Sequence, residues 1–347
     1  MNIFNKKTIL ITGGTGSFGS AFVKYLLDNH SQLSRIIIFS RDELKQYNLS
    51  QENLNHKNYS KLRFFLGDIR DKTRLVSALN DVDIVVHAAA LKQVEASEYN
   101  PIEFIKTNII GSQNVINACL HENVKIAVGV GTDKAVSPLN TYGATKLLME
   151  KLFVTADNYI NPKRHKTKFL ALRYGNVLGS NGSVIPKFVD QIKLGKKITI
   201  TDPEMTRFSI TMDEALDFIL ESTKIGKGSE IFIPKLRTYS IMDVKDVLFE
   251  LIDNVEEEYV GIRPGEKLHE TLINLDEMRY TFELDNKYVI RKSSKIENND
   301  IDENAKMKKI DGSQPYSSDL AEKIPKNELK IILKNFLTNY KEQDLKK

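Results

Sequence analysis

Ile9-Leu10-Ile11-Thr12-Gly13-Gly14-Thr15-Gly16-Ser17-Phe18-Gly19 is the stretch that decides the architecture. A short apolar run reads as a buried strand, and an amphipathic pattern over residues 21–27 reads as the helix that follows it. Between them Gly13, Gly16 and Gly19 stand at the spacing GxxGxxG. Glycine lets the backbone turn tightly and approach a pyrophosphate, while the N–H groups of the helix start face its negative charge. Working outward, residues 36–39, 64–66, 84–87, 126–130 and 169–172 read as further strands with helical patterns between them. Strand then helix, repeated, is the pattern of right-handed crossovers and a parallel sheet. The expected fold class is α/β: a Rossmann-type doubly wound parallel sheet over residues 1–175, with a smaller, interleaved C-terminal substrate domain over 176–347.

Past Tyr174 the rhythm breaks into turn-rich pieces and short helices, with one more strand at 231–234 that the first domain is expected to regain. Residues 291–313, dominated by segments such as Lys295-Ile296-Glu297-Asn298-Asn299-Asp300, read as a surface loop or flexible strap, and 327–340 as a closing amphipathic helix. There is no internal repeat. A chain of 347 residues with 41% hydrophobic and 28% charged side chains is an ordinary globular protein. Its net charge of +4 is too small to imply a nucleic-acid partner. The lone Cys119, in an apolar stretch, forms neither a disulfide nor a multi-cysteine metal site and reads as a buried structural thiol. The N-terminus runs straight into a strand pattern and no apolar run reaches membrane-spanning length, so a cytoplasmic protein with no membrane partner is expected.

The second strand ends about 20 residues beyond the last glycine, where the ribose 2′ substituent of a dinucleotide is read. An acid directly at the strand end would indicate NAD. Here Ser40 and Arg41 come first and Lys45 follows within a turn, a set suited to a 2′-phosphate. NADP is therefore favoured, with Asp42 keeping NAD open. The nucleotide-binding residues read from the sequence are Gly13, Thr15, Gly16, Ser17, Phe18 and Gly19, then Ser40, Arg41, Asp42 and Lys45, with Asp68 and Ile69 toward the adenine and the small Ala88 and Ala90 toward the nicotinamide ribose.

Tyr142-Gly143-Ala144-Thr145-Lys146 places a phenol and an ammonium one helical turn apart on one face. An ammonium beside a phenol stabilises phenolate, which can take a hydroxyl proton as hydride leaves the adjacent carbon. Just upstream, Thr132-Asp133-Lys134 directly follows the fifth strand, on the side of a parallel sheet where ligands bind. An Asp–Lys pair supplies a proton donor and a proton acceptor, as elimination of water next to a ketone requires. A surface salt bridge is the plain alternative.

These segments, with His87-Ala88-Ala89-Ala90-Leu91-Lys92, Arg173-Tyr174-Gly175-Asn176-Val177, Met205-Thr206-Arg207-Phe208 and Arg263-Pro264-Gly265-Glu266-Lys267-Leu268-His269-Glu270, form an ordered set spanning nearly the whole chain. The chain thereby resembles the inverting UDP-N-acetylglucosamine 4,6-dehydratases of the pseudaminic acid pathway, extended members of the short-chain dehydrogenase/reductase superfamily. The resemblance implies a metal-free lyase in which hydride passes from sugar C4 to bound NADP+ and returns to C6. Tyr142, supported by Lys146, would take the C4 hydroxyl proton, Lys134 the C5 proton, and Asp133 would protonate the departing C6 hydroxyl, with Thr132 beside them in the catalytic set. Reprotonation from the opposite face inverts C5, giving UDP-2-acetamido-2,6-dideoxy-β-L-arabino-hexos-4-ulose.

For UDP-N-acetylglucosamine the same resemblance implies contacts from Lys92, which also borders the cofactor, and from Tyr174, Asn176, Val184, Thr201, Met205, Arg207, Arg263 and Glu266. It implies homo-oligomers, hexamers among them. Two positions depart from it: Gly131 stands where serine is usual before Thr-Asp-Lys, and Asn181 where arginine is usual, which leaves the reaction intact and the sugar preference open. The alternatives are the related dehydratase/5-epimerase of the N-acetyl-L-fucosamine capsule pathway, against which Glu98-Tyr99-Asn100-Pro101 tilts the reading, and a non-catalytic NADP-binding regulator.

Overall fold

The computed structural model describes residues 3–161, 164–180, 182–291, 307–310 and 312–344. β1 (Thr8–Thr12), β2 (Arg35–Ser40), β3 (Leu62–Leu66), β4 (Ile84–His87), β5 (Ile126–Val130) and β6 (Lys168–Leu172) form a parallel sheet in the order β3-β2-β1-β4-β5-β6. Their apolar runs are nearly continuous because both faces are covered. On one face Phe22, Val23 and Leu26 of α1 (Ser17–Asn29) pack with Leu216 and Ile219 of the helix Met212–Ile225. On the other, Leu75, Val115, Cys119, Met149 and Phe153 come from three helices, and burial pushes the Cys119 thiol pKa upward. The strand order reverses between β1 and β4, so the connections leaving them diverge and open a crevice at their carboxyl ends.

The doubly wound parallel sheet expected from the sequence is thus present. α1 begins at Ser17, a turn before the expected residue 21, because Gly16 is its N-cap. Glycine and serine are poor helix formers, and it is the packing of Phe22 and Leu26 on the sheet that carries the helix back to them.

Beyond β6 the chain leaves this sheet and, among the described residues, re-enters it in three places. Glu230–Pro234 returns parallel to β6, and Lys287–Ile290 then joins it antiparallel, paired in turn with Thr281–Leu284. Within the stretch read as a loop, 292–306 and 311 lie outside the described residues, but Lys308–Lys309 pairs with Phe282 and Glu283 as an edge strand. Two lysines carry no apolar alternation, and charged edges of this kind are how sheets avoid further pairing. The excursions build a smaller lobe around Ile185, Phe188, Ile200, Val244 and Leu248, closed by Leu329 and Leu333 of the helix Lys326–Asp344 where residues 327–340 were expected to be helical. No described helix is long and apolar enough to cross a membrane.

Candidate active site

The carboxyl ends of β4, β5 and β6 and the start of α1 open on a cleft of about 640 Å3, whose other wall is the smaller lobe. Gly13 has φ +69°, and a Cβ on it would lie 2.8 Å from Ala89 Cα. A Cβ on Gly19 would lie 2.4 Å from the Gly13 carbonyl oxygen. The turn is therefore locked against any side chain at these points, and α1 starts on Gly16 with no side-chain cap, Ser17 and Phe18 lining the cleft. Thr15 completes the turn. Gly19→Ala is expected to weaken binding of a nicotinamide dinucleotide about 5–150-fold, the effect of about 1–3 kcal/mol of overpacking. Calorimetric titration checks this, and undiminished affinity would remove the turn from the binding argument.

At the end of β2 the side chains divide. Ser40 is buried, its Oγ accepting from Gln46 Nε2 at 2.9 Å. Asp42 caps the helix Glu43–Asn53 by accepting from the Lys45 backbone N–H at 2.9 Å, and Lys45 Nζ lies 3.6 Å from it. Arg41 is half exposed, 3.5 Å from Asp68. Burial works to raise the Asp68 pKa, but the hydrogen bonds of Arg70 hold it below the ordinary value. Ile69 is buried against Gly111. Of the nucleotide residues read from the sequence, Ser17, Phe18, Ala88, Ala90 and Lys92 line the cleft itself with Tyr142 and Lys146.

At the exit of β5 the chain makes a tight turn, Asp133–Ala135, whose start Thr132 caps. Asp133 is fully buried beneath the cleft floor; Thr132 Oγ1 donates to its Oδ1 at 2.8 Å, Lys134 Nζ donates to the same oxygen at 3.1 Å, and Oδ2 has no partner among the described residues. Lys134 Nζ also donates to Asn176 Oδ1 at 3.1 Å and lies 3.3 Å from Glu270 Oε1. Burial raises the Asp133 pKa, against the pull of the Lys134 charge. For Lys134 burial acts downward, but the two carboxylates outweigh it and the amine is held well above its ordinary range.

Tyr142 and Lys146 lie on the helix Thr141–Thr155, started by Asn140 accepting from the Gly143 N–H at 2.7 Å. Lys146 Nζ donates to the Val130 carbonyl at 2.7 Å, and burial lowers its pKa to about 8. The Tyr142 pKa is raised by burial, and the charge that pulls it back is that of Lys134. The sequence assigned this role to Lys146, but in the fold that ammonium is engaged by a main-chain carbonyl.

Tyr174, Asn176, Val184, Thr201, Met205, Arg207, Arg263 and Glu266 all line the cleft; Asn181 lies outside the described residues. Arg207 reaches Glu270 at 3.8 Å, and Arg263 donates to Glu95 at 3.2 Å. The glycine at 131 has a steric cause, since a Cβ there would sit 2.2 Å from the Leu172 carbonyl oxygen. Arg173, from the same motif as Tyr174 and Asn176, turns the other way: it is fully buried, paired with Glu150 and Glu277, and donates to the Leu272 carbonyl at 2.8 Å. Lys267 and Glu270 line the cleft too and were not singled out from the sequence, although they close the motif Arg263-Pro264-Gly265-Glu266-Lys267-Leu268-His269-Glu270. Only the tertiary fold brings Glu270 to Lys134. Among the described residues no group of three or more His, Cys, Asp or Glu side chains could hold a metal ion.

A parallel sheet in this strand order, a glycine turn at its first strand and a Tyr-x-x-x-Lys helix beside its fifth define a Rossmann-type protein of the short-chain dehydrogenase/reductase class. The polysaccharide biosynthesis protein family matches residues 9–292, and the chain belongs to that family. It is similar to an inverting UDP-N-acetylglucosamine 4,6-dehydratase of Campylobacter jejuni, with 48% identity over 91% of this chain and 94% of that one. A UDP-glucose 4-epimerase of Rickettsia bellii is 39% identical over 99% of each chain. The X-ray structure of Pen from Bacillus thuringiensis superposes with a TM-score of 0.86 at 38% identity, covering 96% of this chain and 98% of that one. The resemblance read from the sequence motifs agrees with these matches.

Proposed function

We propose that the chain is a lyase that dehydrates UDP-N-acetylglucosamine across C5 and C6 and inverts C5. The observation that carries this reading is the Asp133–Lys134 pair, 3.1 Å apart at the exit of β5, with Lys134 and Tyr142 lining the same cleft and Asp133 directly beneath its floor. An acid and a base side by side are what elimination of water next to a ketone needs. The Campylobacter relative bears the name of this activity.

The residues fit a nicotinamide dinucleotide: the glycine turn has no room for a Cβ, and the start of α1 offers anion-binding N–H groups without a competing cap. NADP fits the end of β2 better than NAD, because the Asp42 carboxylate already caps a helix while Arg41 and Lys45 offer cations for a 2′-phosphate. When bound, the dinucleotide supplies a hydride acceptor at C4 and a donor at C6.

Within the chain, Tyr142 in its phenolate form, which the Lys134 charge favours, takes the C4 hydroxyl proton and becomes the neutral phenol. Moving one proton from Lys134 Nζ to Asp133 converts an ammonium–carboxylate pair into an amine and a carboxylic acid. The amine then takes the C5 proton, the acid protonates the C6 hydroxyl, and water leaves, restoring the original pair. The Lys134 ammonium is also placed to return a proton to C5. Arg207 and Arg263 offer guanidinium forks for the diphosphate. The lone buried thiol is in keeping with a cytoplasmic setting.

A second reading, epimerisation at C4, is favoured by the Rickettsia relative. It gives the Asp133–Lys134 pair nothing to do. Proton NMR after incubation with UDP-N-acetylglucosamine separates the two. A new C6 methyl signal and a 4-keto product are expected, whereas an intact C6 hydroxymethyl group with changed C4 configuration would replace the lyase reading by the epimerase.

A further inference from the structure

Glu270 lies in the cleft wall, almost wholly buried, with one carboxylate oxygen 3.3 Å from Lys134 Nζ and 3.8 Å from Arg207 Nε, and the other without a hydrogen-bond partner among the described residues. It is fixed from behind, its backbone N–H donating to Ser318 Oγ at 2.9 Å, and that same serine is hydrogen-bonded to Thr206 at 2.7 Å. Lys134 is thus held between two carboxylates, Asp133 and Glu270, that come from segments more than a hundred residues apart in the chain. A buried carboxylate with half its hydrogen-bonding capacity unmet costs stability unless the site uses it.

Resting on the dehydratase reading, we propose that Glu270 is a positioning residue for the Asp133–Lys134 pair: it holds the Lys134 amine against Asp133 and sets the pH range in which that pair exchanges its proton. The charged and titratable groups that act on Lys134 are Asp133, Glu270, Arg207 and Tyr142, and Lys92, Lys267 and Tyr239 feel its charge in turn. Two carboxylates face the two cations Lys134 and Arg207 at the centre of this group. Removing one carboxylate leaves the cations in excess. The proton on Lys134 is then held less tightly, and the proton on Asp133 is lost more easily. Both limbs of a bell-shaped rate profile consequently move to lower pH.

Glu270→Gln keeps the size of the side chain and removes the charge, and Glu270→Asp keeps the charge on a shorter stem. For E270Q the pH–kcat profile for the 4-keto product is expected to move down by about one unit and kcat to fall about 10–100-fold, with KM within about threefold. E270D is expected to retain the wild-type profile at reduced kcat, so that it decides the matter if the glutamine variant folds poorly. A substrate-free readout accompanies these: acetylation of Lys134 by acetic anhydride across a pH series, followed by peptide mass spectrometry. Its midpoint is expected to fall by a similar amount in E270Q and not in E270D.

An unchanged labelling midpoint in E270Q would overturn the proposal, as would a raised KM with the kcat profile intact, which makes Glu270 a support for Arg207 alone. If wild-type protein gives no 4-keto product, the dehydratase reading fails by itself. The labelling midpoint then still decides whether Glu270 controls the Lys134 proton.

Discussion

Lys134→Ala is expected to lower formation of the 4-keto product by about 10²–10⁴-fold and to abolish deuterium uptake at C5 from D2O to the same extent. Alanine removes the amine that donates to Asp133, and with it, on the proposed mechanism, both the acceptor for the C5 proton and the partner that keeps the Asp133 proton available. In the proposed mechanism the C4 step does not use that amine as a base, so single-turnover oxidation by the bound nicotinamide dinucleotide, followed at the nicotinamide absorbance, is expected to survive at a reduced rate. The reduction follows from Tyr142, whose buried phenol loses the charge that pulls its pKa down. KM is expected to change little, because Arg207 and Arg263 lie in the cleft independently of this side chain. Deuterium incorporation at the wild-type rate would take Lys134 out of the base role, whatever happened to overall turnover.

Arg173→Ala is expected to destabilise the folded protein by about 3–5 kcal/mol, read from the first transition in a urea titration, without any direct contact with the cleft being lost. Arg173 and Glu150 are both inaccessible to water, and Glu277 closes the other side of the guanidinium. Alanine removes the hydrogen-bonded counter-charge of the buried Glu150 carboxylate, leaving it only the charge of Lys146 one turn away, and frees the Leu272 carbonyl from its donor. Glu150 stands one turn from Lys146 on the same helix, so the loss loosens the segment that carries Tyr142. Arg173→Lys is expected to recover only part of the stability, since a single ammonium cannot serve two carboxylates and a carbonyl in fixed directions. A loss below about 1 kcal/mol for the alanine variant would mean that water enters to solvate Glu150.

The nucleotide half of the fold was legible because its strands are buried on both faces, so that Ile9-Leu10-Ile11 and Ile36-Ile37-Ile38 read as uninterrupted apolar runs without reference to their neighbours. The edge strand Lys308–Lys309 was not, since its place follows from pairing with Phe282 and Glu283 and not from any pattern of its own. In the cleft, Asp133, Lys134, Tyr142 and Lys146 were singled out because they sit close together at one strand exit. Glu270 was quoted within a motif but given no task, because its relation to Lys134 spans 136 positions of sequence and exists only after the chain has re-entered the sheet. Arg173 shows the opposite limit: its motif placed it beside Tyr174 and Asn176, but alternation along an extended chain sends neighbouring side chains to opposite sides.

Among the described residues, four of the ten strands in the main sheet come from beyond residue 229, so neither half of the molecule owns its scaffold. A gene fragment ending after β6 would expose the flank of that strand as an open template for aggregation, and a graft of a foreign sugar-binding half would have to bring matching strands of its own. Recombination can therefore exchange such proteins whole or alter them by substitution within the cleft, but modular shuffling at a single junction is closed to them.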